Sequence, residues 1–373
     1  MATEYHAEHV GSLLRPPYLL AAREARDKGE LGTDEIREVE DRAVAELLDI
    51  QKQAGLGVFT DGEARRESWR AGLLESLSGV VPAKRTMRWY RDGRELTETE
   101  TLSDGAVAVE KVARKGDLTR IEADFMAAHA PGAFKVTMIS ASMAGMIWDP
   151  VRSATAYPEI GDLTSDLARL QIEEIGDLVA SHGVGWVQLD SLGYNQAIDA
   201  GHAGSVRSRV DPAVALDATI TTDRAVVTAV KDKHPYVTVG MHICRGNYRS
   251  SWMAQGGYEP VAERLFNEVP VDRFLLEYDT ERAGGFEPLR FVPRGSAGPT
   301  VVLGLVTTKV PQLENPDDLR RRIDEAARYV PLEQLALSPQ CGFASGSLGN
   351  LITDDDERRK LDLVVSVARQ VWG

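Results

Sequence analysis

Apolar positions along this chain fall into two alternating regimes, a helical period and short unbroken runs. Between Thr33 and Ala54 the residues Ile36, Val39, Ala43, Leu47 and Ile50 recur at helical spacing. Asp34 and Glu35 occupy the first turn and Gly55 stands just past the end, so the segment predicts a capped helix. Leu163 to Ser181 repeats the pattern with a Gly183 stop, and Asp211-Pro212 predicts a cap and first-turn proline opening another helix. Asp317 to Tyr329 and Asp355 to Val371 complete the set. The short apolar runs lie at Val58 to Thr60, Lys135 to Met138, Trp186 to Leu189, Val237 to Met241, Phe274 to Leu276, Val301 to Val306 and Leu335 to Leu337. Such runs predict buried parallel strands. Counting His9 to Ser12 as the end of a first strand makes about eight, the number that closes a (β/α)8 TIM barrel. Val80 to Leu118 fits no β-α unit; the run from Lys84 to Arg94 with its Asp92-Gly93 turn predicts a hairpin excursion after the second unit. No Gly/Ser-rich or Pro-rich linker divides the chain, so residues 1–373 are expected to form one catalytic barrel.

Composition narrows the function classes. Among 373 residues, 43% are hydrophobic and 27% charged, as in ordinary globular chains, which argues against disorder or a disulfide scaffold. Lys plus Arg total 43 against 57 acids, a net charge of -14, which disfavours nucleic acid and anionic membranes as partners. No apolar run reaches the roughly 18 residues of a membrane span and no signal pattern opens the chain, so a cytoplasmic protein is expected. Nucleotide-binding glycine motifs are missing.

Reactive residues collect where the predicted strands end, the catalytic rim of such a barrel. In order these are Gly11-Ser12, Asp61-Gly62-Glu63, Asp190, His242 with Cys244, Glu277, Thr308-Lys309 and Cys341. Both cysteines of the chain are among them. His242 and Cys244, at i and i+2 of an extended segment, project to one face and can share an ion. Glu277 and Cys341 could supply the remaining positions of a tetrahedral zinc shell. An isolated His-x-Cys is a weak signal, since a buried thiol beside a hydrogen-bonded histidine is commoner. Glu63 and Asp190 could pair around a substrate ammonium, or form salt bridges to a loop arginine such as Arg65 or Arg66. Gly11-Ser12 could meet a carboxylate or be a plain turn. The five basic residues between Lys84 and Arg94, with Trp89 and Tyr90 among them, are expected to form a solvated hairpin face.

Six motifs carry a family resemblance: His9-Val10-Gly11-Ser12, Thr60-Asp61-Gly62-Glu63, His242-Ile243-Cys244, Leu276-Glu277-Tyr278-Asp279, Gly304 to Lys309 and Ser338-Pro339-Gln340-Cys341-Gly342-Phe343. Together, in order from about Val10 to about Asn350, they resemble the catalytic domain of cobalamin-independent methionine synthase in a short single-barrel form. The resemblance implies a zinc-dependent barrel that methylates the sulfur of homocysteine to give methionine. It implies His242, Cys244, Glu277 and Cys341 as catalytic zinc ligands, Glu63 and Asp190 as partners of the homocysteine ammonium, and Ser12 beside its carboxylate. Two places depart from the family: Asp190-Ser191-Leu192 replaces Asp-Glu-Pro, and Ile139-Ser140-Ala141-Ser142 stands where long enzymes carry a folate-stacking Trp. Both departures lie on the methyl-donor side, which leaves 5-methyltetrahydrofolate, methylcobalamin or another activated methyl compound open as donor, with Trp89 or Trp148 as substitute stacking residues.

Two other readings compete. Epoxyalkane:coenzyme M transferase resembles the same barrel and alkylates a zinc-bound thiol bearing a sulfonate, which gains nothing from the carboxylates of Glu63 and Asp190. A zinc-binding protein without catalysis would need no polar pocket, and Glu63, Asp190 and Lys309 argue against it.

Overall fold

The computed structural model describes residues 5–70, 76–83, 86–101, 105–116, 118–199 and 211–373. Strands in chain order are β1 (Val58–Phe59), β2 (Leu77–Pro82), β3 (Thr86–Arg91), β4 (Arg94–Thr101), β5 (Ala106–Arg114), β6 (Ala133–Phe134), β7 (Val136–Ile139), β8 (Trp186–Asp190), β9 (Thr238–Ile243), β10 (Arg273–Glu277), β11 (Thr300–Val306) and β12 (Leu335–Pro339). Strands β7 to β12 form one parallel sheet in sequence order, each neighbour reached through a helical crossover. The TIM barrel expected from the alternation of runs is the fold observed.

The remaining barrel positions are held with few ladder bonds. β1 pairs in parallel with β6, and Lys135 N donates to Phe59 O at 2.9 Å, carrying the pairing on to β7. The first position is not a strand at His9 to Ser12. It is a single parallel bridge, Ala7 to Leu337, on the β12 side. On the β1 side, the Gln51 amide takes the place of ladder bonds: Nε2 donates to Thr60 O at 2.9 Å, and Oε1 accepts from Thr60 N at 2.9 Å and lies 3.0 Å from His9 Nε2. Thr60 Oγ1 donates to Gly11 O at 2.7 Å. The barrel interior holds the apolar group Val10, Leu275, Val302 and Ala336 together with a buried ionic cluster. Lys135 and Arg273 both reach Glu8, at 2.8 and 2.9 Å, and Lys135 also donates to Gln188 Oε1 at 2.7 Å. These cations and the carboxylate satisfy one another away from water.

The helices match their sequence signals closely. Thr33–Ala54 ends on Gly55 at φ 85°, and Asp211 caps Pro212–Lys233 by accepting from Ala213 N at 2.8 Å. The excursion is larger than one hairpin and begins earlier. It is inserted between β1 and the helix Leu118–His129, within the second unit, and consists of two antiparallel pairs, β2 with β5 and β3 with β4. The turn between β3 and β4 is Asp92-Gly93, both at positive φ, as a twisted two-residue hairpin requires. Insertion after a strand's C-terminal end puts this arm on the catalytic rim. Lys84 and Arg85 of the basic run lie outside the described residues. Among the described residues no helix is long and apolar enough to cross a membrane.

The last helix, Asp354–Trp372, buries Glu357, whose Oε2 accepts from Leu14 N at 2.8 Å. Burial pushes its carboxyl up to about 8, from an ordinary 4.5. The folded chain keeps a proton there that the unfolded chain has lost, so stability falls as pH rises from about 4.5 toward 8. Glu357→Gln keeps an acceptor for Leu14 and has no proton to lose. Melting curves at about pH 5.5 and about pH 8.5 should show the variant gaining on the parent by roughly 2–4 °C at the higher pH.

Candidate active site

β9 carries His242, and Cys244 follows its last residue, while Cys341 follows β12; all three are buried. Their ligand atoms lie within 4.8 Å of one another. The His242 Nδ1 lies 3.2 Å from Leu275 O, and Nε2 is buried without a hydrogen-bond partner. A backbone carbonyl that holds one ring nitrogen as donor leaves the other as a lone pair aimed at a metal. The hydrogen bond from Cys341 pulls the Cys244 thiol well below its ordinary range against the cost of burial, and His242 adds to the pull. Cys341 is pushed well above the ordinary range by the same bond and by burial. Two soft sulfurs and an orphaned imidazole nitrogen fit zinc or a similar divalent ion.

Glu277 ends β10, one strand from His242, and is buried. Its carboxylate is turned to cations and an amide: Oε1 lies 2.6 Å from Arg282 Nη2, and Oε2 accepts from Arg245 N at 2.8 Å. Burial raises its pKa, but Arg282, Lys309 and Arg245 outweigh that and hold it below the ordinary value. The structure thus brings His242, Cys244 and Cys341 into one cluster and leaves Glu277 engaged beside it.

A cavity of 1070 Å³ opens over the cluster, and Ser12, Glu63 and Asp190 line it along with His242, Cys244 and Cys341. The arginine bridges weighed against Glu63 do not form. Arg65 pairs with Glu40 and Asp41, and Arg66 with Glu122. Glu63 sits at φ 54°, its Oε1 accepting from Thr137 Oγ1 at 2.9 Å, and its Oε2 is buried without a partner. Asp190 stands opposite His242 in the β8–β9 register and accepts from Gln188 Nε2 at 2.8 Å. Burial pushes its carboxyl up to about 7, with Glu63 adding to the rise and His242 opposing it. Ser12 is packed against Gly342, where a Cβ would collide with its hydroxyl.

Several contributors were not legible as site residues. Arg15 Nη2 donates to Glu63 O at 2.9 Å and pins the strained loop, though its only sequence signal is its place three residues after Ser12. Asn247 donates to Gly342 O at 2.8 Å and accepts from Lys309 Nζ at 3.4 Å, which ties the loops after β9, β11 and β12 together. Trp89 of the arm lines the cavity and stacks on Tyr248 with ring centroids 5.3 Å apart. Trp148 instead donates to Tyr157 O at 3.0 Å and packs against the helix-facing core.

The profile of the cobalamin-independent synthase catalytic domain matches residues 7–370. The chain belongs to the cobalamin-independent methionine synthase family. Within reach of that family, the uncharacterized protein YxjH of Bacillus subtilis is 36% identical, covering 99% of this chain and 95% of its own. The crystal structure of a candidate vitamin-B12 independent methionine synthase from Listeria monocytogenes is similar at TM-score 0.75 and 28% identity, covering 99% of this chain and 98% of its own. A B12-independent methionine synthase from Shewanella sp. W3-18-1, solved in complex with selenomethionine, shares the fold at TM-score 0.71 and 19% identity over 98% and 97%. For a methionine synthase family member, homocysteine methylation is the family's reaction class.

Proposed function

We propose that this chain methylates homocysteine to methionine at a zinc ion held by His242, Cys244 and Cys341, with Glu277 as the fourth, weakly held ligand. The observation that carries the reading is the placement of two carboxylates, the buried Glu63 and the half-buried Asp190, neither with an arginine partner among the described residues, in the same cavity as the His-Cys-Cys cluster. Zinc bound there supplies deprotonation of a substrate thiol whose free pKa is about 8.5, giving a thiolate at neutral pH.

The chain's own groups do the rest. Glu63 turns its orphaned Oε2 to the substrate ammonium, and Asp190, titrating near 7, adds charge as pH rises. Ser12, in the loop after the first barrel position, meets the substrate carboxylate. Lys309, whose charge lowers the pKa of both Cys341 and Glu277, favours their anionic forms. Arg282 pairs with Glu277, so that carboxylate would keep a partner whether or not it holds the ion. A rigid rim then sets the thiolate in line with the incoming methyl carbon. The Shewanella enzyme was solved with selenomethionine, an analogue of the methionine that reaction yields, which supports a small-molecule ligand for this chain. Both cysteines are free, which suits a reducing cytoplasm.

Proton release on adding homocysteine to the zinc-loaded protein tests the thiol half without the donor. Release of about one proton per site is expected with homocysteine and not with coenzyme M. Release with coenzyme M instead moves the chain into epoxide opening, and release with neither overturns the reading.

A further inference from the structure

Below the rim, one buried amide ties together two parts of the amino-acid site. Gln188 and Asp190 stand at i and i+2 of β8, so both project to the barrel interior, Gln188 one layer deeper. Gln188 is fully buried. Its Oε1 accepts from Lys135 Nζ at 2.7 Å, and its Nε2 donates to Asp190 Oδ1 and to Val10 O, each at 2.8 Å. Lys135 fixes that polarity. Its Nζ also donates to Glu8 Oε1 at 2.8 Å and to His9 O at 2.6 Å, so all three of its protons are committed. Turned the other way, the amide would set an NH2 against that ammonium and a lone-pair oxygen against Val10 O and the Asp190 carboxylate.

Val10 O opens the loop that leads to Ser12. Thr60 Oγ1 donates to the next carbonyl, Gly11 O, at 2.7 Å, and a Cβ on Gly11 would come to 3.2 Å from Glu63 Oε1. Residues 10–12 are thus wedged between the two carboxylates of the cavity, with Glu63 against their middle and Asp190 tied to their start through Gln188. Val10, Ser12, Glu63 and Asp190 all line the cavity.

We propose that Gln188 is a positioning residue for the amino-acid end of the thiol substrate. It holds Asp190 and residues 10–12 at one separation, so that an ammonium and a carboxylate borne on the same carbon are met together, and Lys135 sets its polarity. This rests on the homocysteine reading and extends it to the selection of an α-amino acid over thiols that carry only one of those groups. Gln188 itself touches no substrate; it acts through the geometry of the groups that do.

The test uses the zinc-loaded full chain and four thiols: homocysteine, its analogue without the amino group, its analogue without the carboxylate, and propanethiol. Dissociation constants are measured by calorimetry for the parent and two variants. Gln188→Met keeps the length and drops both donors. Gln188→Glu keeps an acceptor for Lys135 and puts an oxygen where Nε2 was; the cluster beneath holds two cations to one carboxylate, so it accommodates a second acid. Both variants are expected to bind homocysteine roughly tenfold or more weaker, and each one-group analogue weaker by a smaller factor. Propanethiol is expected to bind all three proteins alike, which a loosened fold or metal site would not allow. Unchanged homocysteine affinity, an equal loss for propanethiol, or a loss confined to one analogue overturns the joint role. If Gln188→Met does not fold, Gln188→Glu decides. A ligand-free crystal structure of the folded variant is expected to show the Asp190 carboxylate and residues 10–12 displaced; either one unmoved overturns the proposal whatever the thiol. Failure of the parent to bind homocysteine is a separate failure, that of the homocysteine reading, and the ligand-free structure then decides the positioning role.

Discussion

Cys341→Ser should lose its zinc and its methyltransferase activity together, by about a thousandfold or more in turnover, while the barrel persists. Cys341, Cys244 and His242 bring their ligand atoms within 4.8 Å of one another, so the two sulfurs belong to one ligand set. Serine replaces a soft, ionisable ligand with a neutral hydroxyl, and the remaining His242 and Cys244 make only two legs of the chelate. The fold does not depend on that ion. Its core is a long contiguous set of buried apolar side chains between sheet and helices, with a second set around Leu13, Leu47 and Phe343. Metal content measured beside a thermal melt checks the outcome: a variant with full zinc and full activity removes Cys341 from the site, and one that has unfolded makes the metal structural.

Much of this site was legible because a parallel barrel concentrates chemistry at strand ends, and the apolar runs locate those ends to within a residue or two. β8 to β12 end at Asp190, Ile243, Glu277, Val306 and Pro339, next to the residues singled out. Residue type and period offer His242 and Cys244 only as a weak signal with Cys341 as a candidate partner, and the full ligand set rests on the family resemblance. The first barrel position was harder to read because side chains, above all Gln51, replace its ladder on the β1 side. A glutamine on a helix gives no sign that it will serve a strand. The arm was only half visible for a related reason. Asp92-Gly93 marks one turn, but the pairing of Leu77–Pro82 with Ala106–Arg114 joins segments far apart in sequence, and periodicity carries no information about partners.

The arginines were least legible. Arg15 and Arg282 carry no sequence signal of a site role and Arg66 is weighed only as a salt-bridge partner of Glu63 or Asp190, yet Arg66 is buried against Glu122 and Thr137, Arg15 is buried against loop carbonyls, and the half-buried Arg282 pairs with Glu277. Their role is to hold acids and loops in place, which depends on three-dimensional neighbours. Arg66 matters most, since it binds Thr137 at 3.2 Å and so sets the hydroxyl that donates to Glu63. The cation beside Glu63 thus acts through a neutral relay, and its nearest side-chain contact leaves the second carboxylate oxygen available to a ligand.

That oxygen leads to the second large effect. Glu63→Gln should weaken homocysteine binding by roughly 10- to 100-fold, with a smaller change in the rate of the bound complex. The substituted amide keeps an oxygen for Thr137, so the strained backbone at φ 54° and its tie to Arg15 stay as they are. What changes is the buried Oε2, which becomes an NH2 and faces the substrate ammonium donor to donor. Asp190 then carries the attraction alone, and because losing the Glu63 charge lowers its carboxyl from about 7, the variant should bind worse only as pH falls below that value, and then more steeply than the parent. Calorimetric titration at two pH values with homocysteine and with an analogue lacking the amino group separates these effects. The analogue should bind parent and variant alike. Equal affinity of both proteins for homocysteine would instead remove Glu63 from the ammonium and leave Asp190 as its sole partner.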